Sequence, residues 1–225
     1  MDSKLVMDTT LSGATSSITI QTKIGMTKEP FELSIANEQQ TGDKSKLAYM
    51  YAKQKEAIDV FSYEGAEWEK DSISKEQVEE LKNNYRTPLD FGLYFNEVDS
   101  FAITSSDDKA IVIEGTISGS NMIKVLKETG ALKQLSLTSF PDSKFENAHP
   151  IKVKAWVDPD TICITNVSID MTETYQDLTN LLFDEDSVVH PQINQCVMEI
   201  NNISINKDYT NIIPNEIQAK LTPLL

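Results

Sequence analysis

Apolar residues recur at every second position through residues 1–70, in runs bounded by polar, turn-forming clusters, and a period of two is that of strands with one covered face. Ile18, Ile20, Ile24 and Met26 share one parity. Phe31, Leu33 and Ile35 repeat the pattern after a break at Pro30, and Leu47, Tyr49 and Tyr51 follow the polar loop Thr41-Gly42-Asp43. Short polar loops between such runs predict an antiparallel meander. The run 57–63 meets 66–70 across Glu64-Gly65, which predicts a further hairpin anchored by Trp68.

The period then changes to that of helices. Ser74 and Gln77 form a capping box, in which the hydroxyl accepts from an early helical N–H and the amide reaches back, and Val78, Leu81 and Tyr85 make one narrow apolar face. Thr87 as N-cap, Pro88 at the first helical position and Asp90 in the first turn open a second helix. Along it Phe91, Tyr94, Phe95 and Val98 fall at i, i+3, i+4 and i+7, the most apolar helical face in the chain. Strands resume over 110–117 behind an Asp107-Asp108 turn, and Ser120 is expected to cap a helix that carries Met122, Val125 and Leu126 and closes at Gly130. Residues 151–157 and 162–171 read as a hairpin joined by Asp158-Pro159-Asp160-Thr161, where proline presets the turn. A short helix from Thr172, with Tyr175, Leu178, Leu181 and Leu182, and a late strand over 196–205 complete the prediction. The fold class is therefore α+β, with strands in antiparallel order and short helices against them. No internal repeat or low-complexity linker divides the chain, so 1–225 reads as a single domain.

Bulk properties narrow the partners. A chain of 225 residues, 40% hydrophobic, is long enough to bury a sizeable core, roughly 70% of its unfolded surface. No run reaches the ~18 apolar residues of a spanning helix, and the start lacks the basic-then-apolar pattern of a signal peptide. The net charge of −15 opposes nucleic acid and anionic lipid head groups, both of which attract clustered Lys and Arg. Lys152 and Lys154 alternate along a strand-like run and read as a solvated face. Cys163 and Cys196 both sit in apolar runs, where one disulfide or two free thiols fit equally well.

Chemistry-bearing motifs are sparse. His149 and His190 each precede a proline, which favours an extended loop, and neither has a partner at metal-ligand spacing. Asp184-Glu185-Asp186 with His190 offers oxygen and nitrogen ligands, but an acidic surface loop is the commoner meaning of such a run. Gly115-Thr116-Ile117-Ser118-Gly119 spaces its glycines as a nucleophile elbow does, with the serine one place off and at a helix entrance. No Walker loop, dinucleotide fingerprint or zinc-type spacing occurs, so no catalytic residue, metal or cofactor is expected. An excess of apolar side chains remains at Leu89, Phe91, Leu93, Tyr94, Phe95, Val98, Met122, Val125 and Leu126. Core packing under the sheet is the ordinary fate of such helix faces. The sharper alternative is an incompletely filled, apolar ligand cavity lined by Leu89, Phe91, Tyr94, Phe95, Val98, Met122, Val125 and Leu126.

The order of elements resembles that of an uncharacterised Gram-positive lipoprotein family with a LolA/LppX-like fold. The residues that carry the resemblance are Tyr63-Glu64-Gly65-Ala66-Glu67-Trp68-Glu69-Lys70 at the end of the meander, Ile113-Glu114-Gly115-Thr116-Ile117-Ser118-Gly119 before a helix, and the hairpin from Ala155-Trp156-Val157-Asp158 to Ser168-Ile169-Asp170-Met171-Thr172. The tail Tyr209-Thr210-Asn211-Ile212-Ile213-Pro214-Asn215-Glu216 fits the family's usual ending. The resemblance implies a strongly curved antiparallel sheet, a half-open barrel of roughly ten strands, with short helices packed on its concave face. It implies a non-catalytic cell-envelope domain, extracellular and tethered to the membrane; LolA-like relatives hold acyl chains in the concavity, and a lipid or other hydrophobic ligand between sheet and helices is the leading expectation for this chain. The alternative is a structural or protein-interaction module with a filled core. Family members carry a signal peptide, a lipid-attachment cysteine and an N-terminal helix, whereas strand-like residues 5–11 here follow Met1 almost directly. The expectation is accordingly a domain whose lipid anchor is lost and whose residues 1–4 end a missing helix.

Overall fold

The computed structural model of the protein describes residues 1–28, 30–54, 58–65, 67–74, 77, 91–183, 190–204, 208 and 211–224. The alternating runs become strands β1 (Asp2–Leu11), β2 (Ala14–Lys28), β3 (Phe31–Thr41), β4 (Lys44–Gln54), β5 (Ile58–Tyr63) and β6 (Trp68–Ile73). After them come β7 (Ser100–Ser106), β8 (Ile111–Ile117), β9 (Ile151–Val157), β10 (Ile164–Asp170) and β11 (Gln192–Asn201). All belong to one 11-stranded sheet in the order β6-β5-β4-β3-β2-β1-β11-β10-β9-β8-β7. The chain meanders outward from β1 to the β6 edge, re-enters at the opposite edge with β7, and meanders inward until β11 pairs antiparallel with β1. The sheet is open, with β6 and β7 as its two ends.

Register sorts the side chains. Leu5 lies opposite Met198 and Ile20, Ile24 opposite Ile35, Leu33 opposite Ala52, Ile169 opposite Met198 and Val153, and Ile113 opposite Ala155. Because paired residues share a face, one side of the sheet is largely apolar as far as β5, and on β6 it carries Glu69 and Asp71. The other side is polar over β8 to β10, where Lys152 pairs with Glu173 and Lys154 with Glu114, both as solvated ion pairs. That polar side turns aromatic on β4 to β6, where Tyr51 pairs with Phe61 and Tyr63 with Trp68. Helix α5 (Asn215–Leu221) covers this patch, burying Leu221 with Tyr51, Phe61 and Ile213, while the Trp68 indole donates to the Ile217 carbonyl at 3.2 Å.

Helices α1 (Phe91–Asn96), α2 (Gly119–Glu128), α3 (Ala131–Gln134) and α4 (Thr172–Asn180) contribute to the apolar side. Side chains of all four share one buried or partly buried cluster with β8 to β11 and β1. The hydrogen bonds of the Ser74–Gln77 capping box form reciprocally, at 2.9 and 3.3 Å. Val78, Leu81, Tyr85 and the 87–90 helix start lie outside the described residues. α1 ends at Asn96, short of Val98, because the N–H groups of Glu97 and Val98 turn to the carbonyls three residues back.

Several expectations are corrected. Residues 2–4 are strand, not the end of a helix: Asp2, Ser3 and Lys4 pair with Lys23, Thr22 and Gln21 on one side and with Asn201, Ile200 and Glu199 on the other. β7 was not anticipated, because its two alternating apolar residues sit in a serine-rich stretch behind a strong helix signal. The last strand stops at Asn201, since Asn202 takes a left-handed φ of 56° and ends the ladder. Ser120 lies inside α2. Ser118 is the N-cap residue, and Asp99 across the sheet supplies the cap, accepting from the Ser118 N–H at 3.0 Å and hydroxyl at 2.6 Å and from the Asn121 amide at 3.2 Å. A carboxylate there also complements the helix dipole. Gly130, at φ 74°, follows α2 as the sequence predicts.

At Gly115 a close approach of the chain requires the missing side chain. A Cβ there would stand 2.5 Å from the Val98 methyl and 2.6 Å from the Ser100 carbonyl oxygen, so the glycine lets the chain cross from α1 into β7. Gly115→Ala is expected to cost about 1–3 kcal/mol of stability through overpacking, read from urea denaturation.

Two turns are tied by acids. Asp158 accepts from the Thr161 N–H at 2.8 Å, the Thr161 hydroxyl at 3.0 Å and the Asp160 N–H at 3.0 Å, and these bonds, Thr161's foremost, hold its carboxyl below the ordinary range. The Ala110 and Lys109 N–H groups do the same to Asp107. A carboxyl with a depressed folded-state pKa contributes stability that is present above its unfolded value, roughly 3.9, and is lost as pH falls through the folded value. Asp158→Asn is therefore expected to flatten the acid limb of thermal midpoint against pH below about pH 5, relative to the parent chain.

Candidate functional site

Of the eight residues expected to line a cavity, Leu89 lies outside the described residues and Phe91 opens α1. Tyr94 is buried, and Phe95 and Val98 are half-buried against the same cluster. Met122, Val125 and Leu126 converge with Ile117, Ile151 and Ile169 at the centre of the sheet's apolar side, each of these six at 1% exposure or less. A side chain beside a void that admits water would retain accessible surface. These have none to speak of, so the space around them is filled by neighbouring side chains. A hollow of about 70 Å³ at Asp2, Lys4, Gln21, Lys23 and Asn201 is polar and far smaller than a typical ligand cleft, roughly 300 Å³ or more.

A seam of three polar groups crosses this core. Tyr94 from α1, Tyr175 from α4 and Cys196 from β11 lie close enough to influence one another's titration. Burial pushes all three up, the Cys196 thiol to about 12, with Asp170 adding to the effect on the thiol. Each is protonated at neutral pH, so none offers a nucleophile or a base. Their positions lie far apart in the chain, and nothing in the sequence pairs them. Cys163 is exposed and Cys196 buried, and both are free thiols: of the two alternatives left open, the disulfide does not form.

His149 has a structural post. Asp177 on α4 accepts from its backbone N–H at 2.6 Å and lies 2.7 Å from Nδ1, while the Thr174 hydroxyl donates to its carbonyl at 2.8 Å. The three contacts pin the entrance of β9 to α4; sequence reasoning missed Asp177 because it stands 28 residues away. His190 is exposed, with its ring 6.0 Å from Phe183, and the acidic run 184–186 falls outside the described residues. Among the described residues no three His, Cys, Asp or Glu side chains are grouped to hold a metal ion. Ser118 is turned to Asp99 at the α2 entrance rather than to a histidine. Among the described residues no helix is long and apolar enough to cross a membrane.

No protein-family model matches the chain, and no curated protein matches it either. The site therefore has to be argued from its own geometry. The apolar side of the sheet runs out to the β7 edge, where Phe101 stacks on Phe95 with ring centroids 5.3 Å apart. All seven residues of β7 are exposed, Ile103 to 70%. The only sign of this in the sequence is the 101/103 alternation.

Leu126→Ala is expected to cost about 2–5 kcal/mol, read by urea denaturation, as truncation in a filled core does. A thiol reagent should modify Cys163 at once and Cys196 only after denaturant is added, one thiol and then two by absorbance.

Proposed function

We propose that this chain is a non-catalytic domain of the bacterial cell envelope, displayed outside the membrane as part of a lipoprotein, and that it works by binding other proteins. The open antiparallel sheet with its apolar side against short helices is compatible with a LolA-like half-barrel, and the family resemblance supplies the envelope location and the lipid tether. The observation that carries the choice between ligand storage and protein contact is the packing at Met122, Val125 and Leu126. Close packing at these three supports a filled core over an acyl-chain cavity. The raised titration of Tyr94, Tyr175 and Cys196 supports a non-catalytic reading of the same core. A net charge of −15 supports basic partners over nucleic acid or anionic lipid.

The purified chain should take up no fluorescent fatty acid in a saturable titration and yield no stoichiometric lipid on solvent extraction. Uptake of one fatty acid per chain, competed by unlabelled fatty acid, would overturn the reading in favour of a lipid carrier.

A further inference from the structure

Sheet edges are templates for pairing, and proteins guard them with charge, proline or cover. The two edges of this sheet are treated differently. β6 carries Glu69, Lys70 and Asp71 within its six residues, and its Lys70 pairs with Asp59 at 3.3 Å and reaches the Leu224 carbonyl at 3.5 Å. β7 reads Ser-Phe-Ala-Ile-Thr-Ser-Ser, with no charge, no proline and every residue exposed. Among the described residues β8 is its one neighbour, so a row of N–H and C=O groups faces water. The apolar side of the sheet continues to this edge through Ile113, Ile103 and Phe101; Phe95 covers part of Phe101, and Ile103 stands 70% exposed.

We propose that β7 is a docking edge that accepts an extended segment of another protein as an added antiparallel or parallel strand. This rests on the protein-binding reading above and names where the partner sits and what chemistry it has. The segment is uncharged in its middle and carries β-branched or aromatic residues at alternate positions, which lie beside Phe101 and Ile103. Its ends are basic. Residues 97–110 hold Glu97, Asp99, Asp107 and Asp108 against Lys109, and Lys124 pairs with Glu97, which leaves Asp99 at one end of the edge and Asp107 and Asp108 at the other on a chain that is negative overall. The same charges disfavour a second copy, whose own edge is flanked by the same acids. The register between β7 and β8 is regular from Ser100 to Ile103 and shifts before Ser105, so the added strand pairs along residues 100–103.

The test uses the full chain and a labelled, end-blocked peptide with alternating Val and Thr in the middle and a Lys pair at each end, followed by fluorescence anisotropy. Saturable binding is expected, with Ile103→Lys weakening it about tenfold or more by placing a like charge on the edge. Ile103 is exposed, so the variant should keep the parent's thermal midpoint, which circular dichroism checks. Glu69→Ala on the opposite edge should leave binding unchanged, and a twin peptide with Glu ends should bind at least about tenfold more weakly. Equal binding by the two peptides, or indifference to Ile103→Lys, overturns the assignment. A concentration-dependent dimer that Ile103→Lys abolishes overturns the occupant in favour of a second copy. Should neither the peptide nor the fatty acid bind, the β7 assignment fails while the protein-binding reading stands; fatty-acid uptake fails that reading itself.

Discussion

Nine residues at the start of the chain and ten near its end lie side by side, from Asp2 opposite Asn201 to Thr10 opposite Gln192, and this seam joins two meanders into one sheet. Each meander is held by hairpins between neighbours in sequence, whereas the seam spans almost the whole chain. Closing so long a loop costs entropy before any contact repays it. The repayment is the continuity of the apolar side: Leu5 and Met7 sit opposite Met198 and Cys196, so the cluster under the helices extends without a break into the first strand. A one-residue slip at the seam would turn Leu5 and Met7 to water and bring Lys4 and Val6 inward, which is why the parity of β1 matters to everything beside it.

Helices reach the sheet from its two meanders in different ways. α2 and α4 leave the ends of β8 and β10, and α4 lies against β11, with Thr172 and Gln176 accepting from the Cys196 and Ile193 N–H groups. Acids fix two of the joints: Asp99 holds the entrance of α2, and Asp177 of α4 holds His149 at the entrance of β9. On the opposite side α5 lies over the aromatic patch of β4 to β6, and the Lys220 ammonium sits 5.1 Å above the Tyr63 ring. Both sides of the sheet are thus covered over much of their apolar area; the most exposed large apolar side chain of any described strand is Ile103, an exception at β7.

That exception gives the functional argument its direction. Close packing leaves no void beside Met122, Val125 and Leu126, and the uncharged β7 edge lies between acidic flanks. The two features are independent: the first depends on the volume of Met122, Val125 and Leu126, the second on what the chain leaves out between Asp99 and Asp107.

Alternation along the chain determined most of the strands, including both bounds of β9, because a half-covered strand needs one apolar side chain in two and that requirement is local. Turn chemistry was legible for the same reason at Asp158-Pro159 and Gly130. The polar start of β1 at Asp2 to Lys4, the strand β7 and the helix α5 were not legible, since each is specified by neighbours distant in sequence. So was the fate of the apolar helix faces. Spacing shows that Met122, Val125 and Leu126 share a side, but whether that side meets a cavity or a wall depends on side chains from β8, β9 and β10, and volume matching across a core is a property of the assembled fold.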